Sequence, residues 1–400
     1  MKRSLSIRRL LRPLMVVGGV IILGLLAWFV FGQAQQQPGE ARATVSGLPS
    51  GASEYNTEFA RALQPRAFVF PADHGPHPDF QTEWWYYTGN VTDATGRHFG
   101  YQLTFFRRAL LPLQEVQARE SALAPSQIYF AHFAVTDSAA DKHASAERFS
   151  RGAGGLAGAN ADPYKVYLEN WSAVGLNQTG DAIRLSAQNG AYSITLTLKS
   201  IKPIARHGNQ GLSAKSDTPG NASYYYSFTR LQTEGSIQTE SGAFDVTGQS
   251  WMDHEWSTSA LGPNAQGWDW YALQLSDQRE LMLYRFRNTD GTIDPVSGGT
   301  LIQPDGSTRV LRQDQIVIDV LDQWRSPDNG AVYPVKWRVR IPDYSVDLQV
   351  EARIKDQQMN VSITYWEGAV KITGQSDNAP VTGVGYVELT GYLDSINGKF

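Results

Sequence analysis

The sequence predicts an all-β protein of sandwich or barrel type behind one apolar N-terminal segment. Three observations lead there. Apolar residues alternate with period two through most of the chain beyond residue 66, Asx-Gly turns separate the alternating runs, and an aromatic-rich unit recurs. At 400 residues the chain exceeds one typical core, so two domains are expected after the leading segment.

Taken in order, Lys2, Arg3, Arg8, Arg9 and Arg12 precede an uncharged run over residues 14–32. As a helix at about 1.5 Å per residue, this run spans roughly 28 Å, close to a bilayer core of ~30 Å. The basic flank should remain cytoplasmic. Residues 1–32 are therefore expected to be a membrane anchor or signal segment. The bulk of the chain would be periplasmic, held at the inner membrane through residues 14–32, or secreted if that segment is cleaved. Residues 33–65 read as a linker: 33–53 are rich in Gln, Ala, Gly and Ser, and 55–63 suggest a short helix. A second short helix is expected near 114–122.

The strands follow. Phe99, Tyr101, Leu103 and Phe105 alternate with Gly100, Gln102 and Thr104; Tyr192, Ile194, Leu196 and Leu198 repeat the pattern. So do Val335, Trp337, Val339 and Ile341, and then Val346, Leu348, Val350 and Ala352. One apolar and one wet face per strand indicates antiparallel sheet. Turns are signalled at Asp93-Ala94-Thr95-Gly96, Asn189-Gly190, Asp290-Gly291, Asp305-Gly306 and Asn329-Gly330. The segments 150–161 and 206–221 read as exposed loops. The run from Trp85 through Asp93 to Phe106-Arg107 is echoed from Trp270 through Asp277 to Phe286-Arg287. The echo divides the exported part into domains at 66–250 and 251–400.

A net charge of −4 offers nothing to nucleic acid. Charged residues are sparse at 18% and aromatics abundant at 11%, which suits β-rich domains with apolar or carbohydrate-like ligands. There is no cysteine, so disulfides, thiolate catalysis and Cys-ligated zinc are excluded. Neither a Gly-x-Ser-x-Gly elbow, a phosphate-binding loop, a dinucleotide fingerprint nor His-Glu-x-x-His occurs. No cofactor is expected.

Chemistry-bearing residues concentrate in two clusters. In Glu83-Trp84-Trp85-Tyr86-Tyr87, Trp84 and Tyr86 share one strand face, and Trp85 and Tyr87 the other. One face can line a pocket while the other covers a barrel. The loop from Asp73-His74 to His77 can be read as a metal site, a pocket rim or plain structure; Gly75-Pro76 between the histidines argues for a turn. In Asp253-His254-Glu255-Trp256 the acids share one face, where mutual repulsion raises one pKa, and His254 and Trp256 share the other. The alternative is that the acids pair with arginines. Asp269, between Trp268 and Trp270, requires a partner such as Arg285 or Arg287, or else serves as a proton source. His132 reads as a satisfied core histidine.

The run Pro71-Ala72-Asp73-His74-Gly75-Pro76-His77 through Thr82-Glu83-Trp84-Trp85-Tyr86-Tyr87-Thr88-Gly89, with Phe99-Gly100-Tyr101-Gln102-Leu103-Thr104-Phe105-Phe106-Arg107, resembles the AttH-like family. Trp251-Met252-Asp253-His254-Glu255-Trp256 and Gly267-Trp268-Asp269-Trp270 carry the same resemblance, which covers nearly all of 66–400. That family is related to carotenoid 1,2-hydratases. The resemblance implies two tandem lipocalin-like antiparallel β-barrels, and water addition to a terminal alkene. Such chemistry needs an acid, aromatic faces for a carbocation and a held water. By resemblance, His254, Trp256 and Tyr284 match the reacting region. Phe286 stands where the acid would be sought, leaving Asp269 to serve.

The expected catalytic set is therefore Asp269, His254, Glu255 and Tyr284. The expected ligand-binding set is Trp84, Trp85, Tyr86, Trp256, Trp268, Trp270, His74 and His77, with no metal. The expected partner is an apolar isoprenoid or lipid. The rival readings are a non-catalytic lipid carrier serving a membrane transporter, and a secreted lipid-ester hydrolase.

Overall fold

The computed structural model describes residues 59–117, 126–152, 154–258, 261–262 and 264–396. The apolar run 14–32 and the tether 33–53 lie outside these residues. Of the helix expected over 55–63, only 59–63 are described, and they are not helical. Among the described residues no helix is long and apolar enough to cross a membrane. Of the second expected helix, near 114–122, residues 114–117 are described and lie in α1 (Leu113–Gln117).

Apart from three 3₁₀ turns (Ala72–His74, Gln313–Gln315 and Pro342–Tyr344), the regular structure of the described chain is otherwise strand. In order these are β1 (Thr82–Thr92), β2 (His98–Ala109), β3 (Gln127–Asp137), β4 (Lys142–Arg151), β5 (Ala157–Ala161), β6 (Tyr164–Leu168), β7 (Trp171–Gly175) and β8 (Ala182–Asn189). Next come β9 (Tyr192–Ser200), β10 (Ala205–Arg206), β11 (Leu212–Ala214), β12 (Ala222–Thr239), β13 (Gly242–Ser257), β14 (Ala265–Leu275), β15 (Glu280–Asn288) and β16 (Gly298–Ile302). The last are β17 (Thr308–Arg312), β18 (Val317–Arg325), β19 (Val332–Ile341), β20 (Val346–Ala352), β21 (Gln358–Met359), β22 (Tyr365–Ser376) and β23 (Ala379–Leu389).

Two antiparallel sheets result. The first has the order β4-β3-β2-β1-β13-β12-β9-β8-β7-β6-β5 and curls into a nearly closed barrel. The second, β17-β16-β15-β14-β23-β22-β20-β19-β18, forms a half-barrel. The orders correspond from β4–β1 and β17–β14 through β13 and β23 to β7 and β18, with β6 and β5 extending the first sheet, so the sequence echo reflects a repeated topology. The expected division at 250/251 falls inside β13, which stays in the first sheet to Ser257. Glycines of the turn motifs occupy left-handed backbone, as at Gly190 (φ 57°) and Gly306 (φ 84°). The expected loop 150–161 contains β5, and 206–221 contains β11.

Both barrel interiors are filled. Trp85, Tyr87, Trp171 and Trp256 pack inside the first, and Tyr271, Trp337 and Trp366 inside the second. Alternation in β19 and β20 has the expected wet face, but β2 is buried on both faces through most of its length. Its outer face packs on the second sheet: a Cβ at Gly100 would stand 2.6 Å from the Cβ of Ala369.

A buried ion cluster also joins the sheets. Glu280 of β15 accepts from Arg230 Nε of β12 at 2.5 Å and from Lys202 Nζ at 2.7 Å. Burial raises the Glu280 pKa, opposed by those two cations. Removing one member of a buried pair leaves its partners desolvated and uncompensated. Glu280→Ala should therefore lose about 3–5 kcal/mol of stability in urea unfolding, and Glu280→Gln less. Equal losses in the two variants would show that charge is not what holds the sheets there.

Candidate functional site

Between the outer faces of the two sheets lies a cavity of about 160 Å³. From the first sheet, β1 contributes Thr82, Trp84 and Tyr86, and β13 contributes Asp253 and Glu255. From the second, Trp268 and Trp270 of β14, Tyr284 and Phe286 of β15, Glu367 of β22 and Glu388 of β23 line the facing wall. Strand pairing sets this composition. Trp84 lies opposite Glu255 and Tyr86 opposite Asp253, while Glu388 lies opposite both Trp270 and Glu367. Asp253, Glu255 and Glu388 thus each stand next to an aromatic ring, and Glu367 and Glu388 face each other directly.

Asp253, Glu367 and Glu388 are buried and hold protons unusually well. Burial pushes Asp253 up to about 7, against hydrogen bonds from Ser227, Trp251 Nε1 (2.6 Å) and Tyr225 Oη (2.9 Å). Glu388 is pushed up to about 8 by burial, although Trp268 Nε1 donates to it at 3.0 Å. Glu367 is raised by burial and then by the negative charge of Glu388. Two carboxylates at directly opposed positions cannot both ionise cheaply, so the pair retains a proton at neutral pH. Glu255 is paired with Lys215. His132 lines the same space with both ring nitrogens engaged, by Tyr365 Oη at 2.8 Å and Glu147 at 3.0 Å.

The expected site residues divide by strand face. Trp84, Tyr86, Glu255, Trp268, Trp270 and Tyr284 line the cavity. Trp85, His254 and Trp256 point the other way, into the first barrel. There His254 Nε2 meets Glu83 Oε1 at 2.9 Å, and Glu83 Oε2 accepts from Arg107 Nε at 2.8 Å. His77 bridges Glu83 (2.7 Å) and Asp73 (3.0 Å) and stacks on Trp256 at 3.7 Å. His74 is buried between Tyr226 Oη and the Thr179 carbonyl. Burial lowers its pKa to about 4, so it is neutral. Neither loop histidine reaches the cavity rim.

Asp269, expected as the proton source, does not line the cavity. It pairs with Arg287 Nε at 2.8 Å and Tyr392 Oη at 3.0 Å, on the face of β14 away from the cavity. The repeat explains this. Arg107 of the first copy binds Glu83, Arg287 of the second binds Asp269, and the preceding Phe106 and Phe286 both face the cavity.

His77, Glu83 and His254 offer donor atoms within 4.8 Å of one another. Those atoms are already bonded to each other, and the adjacent Arg107 supplies the balancing positive charge. The cluster is a closed ion network and a poor host for a divalent cation. Nor do the Ser and His near the cavity form a hydrolytic triad. Ser227 lies between His207 (2.6 Å) and Asp253 and is fully buried, so the acid holds the hydroxyl and not the imidazole.

Glu367 and Glu388 were missed in the sequence, although a signal was present. Each is a lone acid in an apolar strand, Tyr365-Trp366-Glu367-Gly368-Ala369 and Tyr386-Val387-Glu388-Leu389. Asp253, expected as one of two acids on a strand face, lies outside the expected catalytic set. Raised carboxyl pKa values stabilise the fold below the unfolded value, and this contribution is lost as pH rises through the folded pKa. Asp253→Asn should therefore remove a destabilisation of up to ~1.4 kcal/mol per pH unit that the wild type shows between about pH 4 and 7. Thermal unfolding at pH 5 and pH 8 measures it; an unchanged pH dependence in the variant would contradict the assignment.

Comparison with known proteins follows the same lines. The AttH-like family profile matches residues 61–392. The crystal structure of an AttH protein from Nitrosomonas europaea superposes with a TM-score of 0.73 at 34% identity, covering 84% of this chain and all of that one. Kievitone hydratase from Nectria haematococca shares the fold, with a TM-score of 0.64 at 13% identity over 84% of this chain and 97% of its own. The dehydratase AsqC of Emericella nidulans is 26% identical over 148 residues. That match spans 35% of this chain and 41% of the dehydratase, less than half the relative's length. On the extent of the profile match and the identity to the Nitrosomonas protein, the chain belongs to the AttH-like family.

Proposed function

We propose that this protein adds water to, or removes it from, an apolar substrate whose reacting end enters the cavity between the sheets. One observation carries the reading: the opposed Glu367–Glu388 pair keeps a proton at neutral pH among Trp84, Trp268, Trp270 and Tyr284. A carboxylic acid held neutral near pH 7 is a competent proton donor, and aromatic rings stabilise a neighbouring cation.

In the hydration direction, Glu388 gives its proton to an alkene carbon as the π bond breaks. Water adds to the resulting cation, and its surplus proton passes to the Glu367 carboxylate. The pair ends with one proton, as it began, and elimination is the same path reversed. Carriage alone does not call for buried carboxyls, which are costly to desolvate. That cost favours catalysis over a carrier role. The dehydratase and hydratase relatives support the reaction class.

The cavity resembles in size an engineered cavity of about 150 Å³ that holds one benzene. It accommodates a ring or the end of an isoprenoid chain, and a linear carotenoid would present only its terminus. The same reading places the cavity outside the inner membrane, tethered by residues 14–32, as the basic flank and the length of the apolar run suggest.

The test is incubation with linear carotenes, shorter terminal alkenes and β-hydroxy ketones, with mass spectrometry for gain or loss of one water. Glu388→Gln should lower kcat by about 10²–10⁴-fold. Asp269→Asn, if folded, should change it by less than about tenfold. The reverse ranking of the two variants would refute this choice of acid.

A further inference from the structure

We infer that the inter-sheet cavity binds an organic cation, a ring-sized tertiary or quaternary ammonium. The inference deepens the preceding reading, because such an ion has the charge and bulk of the carbocation that water addition forms. It can nonetheless be tested separately.

Charge and shape point the same way. Asp253, Glu255, Glu367 and Glu388 converge on one cavity, and no arginine lines it among the described residues. Lys215 is already paired with Glu255, and both nitrogens of His132 are engaged. The surplus is therefore negative once the carboxyls ionise. Trp84, Trp268, Trp270 and Tyr284 supply the aromatic enclosure used for quaternary ammonium recognition.

One buried acid is also poorly satisfied. Glu367, 1% exposed, and Tyr86, 6% exposed, line the cavity. The Tyr86 and Tyr365 hydroxyls lie close enough to Glu367 to favour its charged form, but no hydrogen bond of good geometry reaches Glu367 Oε1 or the Tyr86 hydroxyl. A buried carboxyl oxygen without a donor costs about as much as a lost hydrogen bond to a charged group. A positively charged head against it would remove that cost. An anionic ligand such as a fatty acid would meet like charge instead.

Cation binding favours the ionised carboxyls, so affinity should rise with pH as Asp253 and Glu388 lose protons around their raised values of about 7 and about 8. The phenols facing the same space stay neutral over that range. Burial pushes Tyr284 up to about 12 and raises Tyr86, Tyr225 and Tyr365 well above their ordinary value.

The experiment is isothermal titration of the full-length protein with benzyltrimethylammonium, with neutral neopentylbenzene of the same shape, and with benzoate. The cation should bind at least about tenfold more tightly than the neutral isostere, equivalent to about 1.4 kcal/mol, and benzoate not at all. Binding should strengthen from pH 6 to pH 8 and release protons, seen as a dependence of the heat on buffer ionisation enthalpy. Glu367→Gln and Asp253→Asn, each checked for a cooperative thermal unfolding transition at pH 5, should each erase most of the preference for the cation. Equal binding of cation and isostere, or binding without proton release, would overturn the inference. Cation binding by a protein that hydrates nothing would leave the inference standing and remove the preceding reading; water addition without cation preference would do the opposite.

Discussion

Antiparallel pairing of β1 with β13 sets Trp84 opposite Glu255 and Tyr86 opposite Asp253, and the composition of the cavity depends on this register. Side chains alternate strictly along both strands, so the same pairing sends Trp85, His254 and Trp256 into the first barrel. A slip of one residue would exchange the two sets, burying acids in the core and turning imidazole toward the second sheet. The register resists such a slip because both faces are occupied. On one side Glu83, Arg107, His77 and His254 close a hydrogen-bonded network; on the other the second sheet covers the strand.

The two faces carry buried charge in opposite ways. In the barrel, Glu83 is held well below the usual carboxylate range, because Arg107 and the two histidines outweigh the effect of burial. That network is satisfied and electrostatically balanced. In the cavity, Asp253, Glu367 and Glu388 are raised because burial and mutual repulsion outweigh their few donors. A fold retains such groups at a cost in stability, and perturbed carboxyls in a cavity mark a site more often than a scaffold.

The repeat is used asymmetrically. Each sheet supplies an aromatic strand followed by a Phe-Arg strand, the arginine tied to an acid and the phenylalanine turned toward the common cavity. The first sheet curls over a solid core, whereas the second remains a half-barrel ending at β17 and β18. The inter-sheet cavity arises where the outer faces separate, near the close approach of Gly100 to Ala369.

Local pattern determined much of this protein. Period-two alternation and Asx-Gly turns specified strands and hairpins, and the echo of Trp85–Arg107 in Trp270–Arg287 specified two related units. The same alternation separated Trp84 from Trp85 and Asp253 from His254. Which face would be the functional one was decided only in three dimensions. A strand's own sequence does not say whether its second face meets water or another sheet, as the doubly buried β2 shows. Glu367 and Glu388 lie more than 100 residues from Asp253 in sequence, and only the packing of one sheet on the other places these acids in one cavity. Proton affinity depends on burial and on the distance between charges, both of which are set by tertiary contacts.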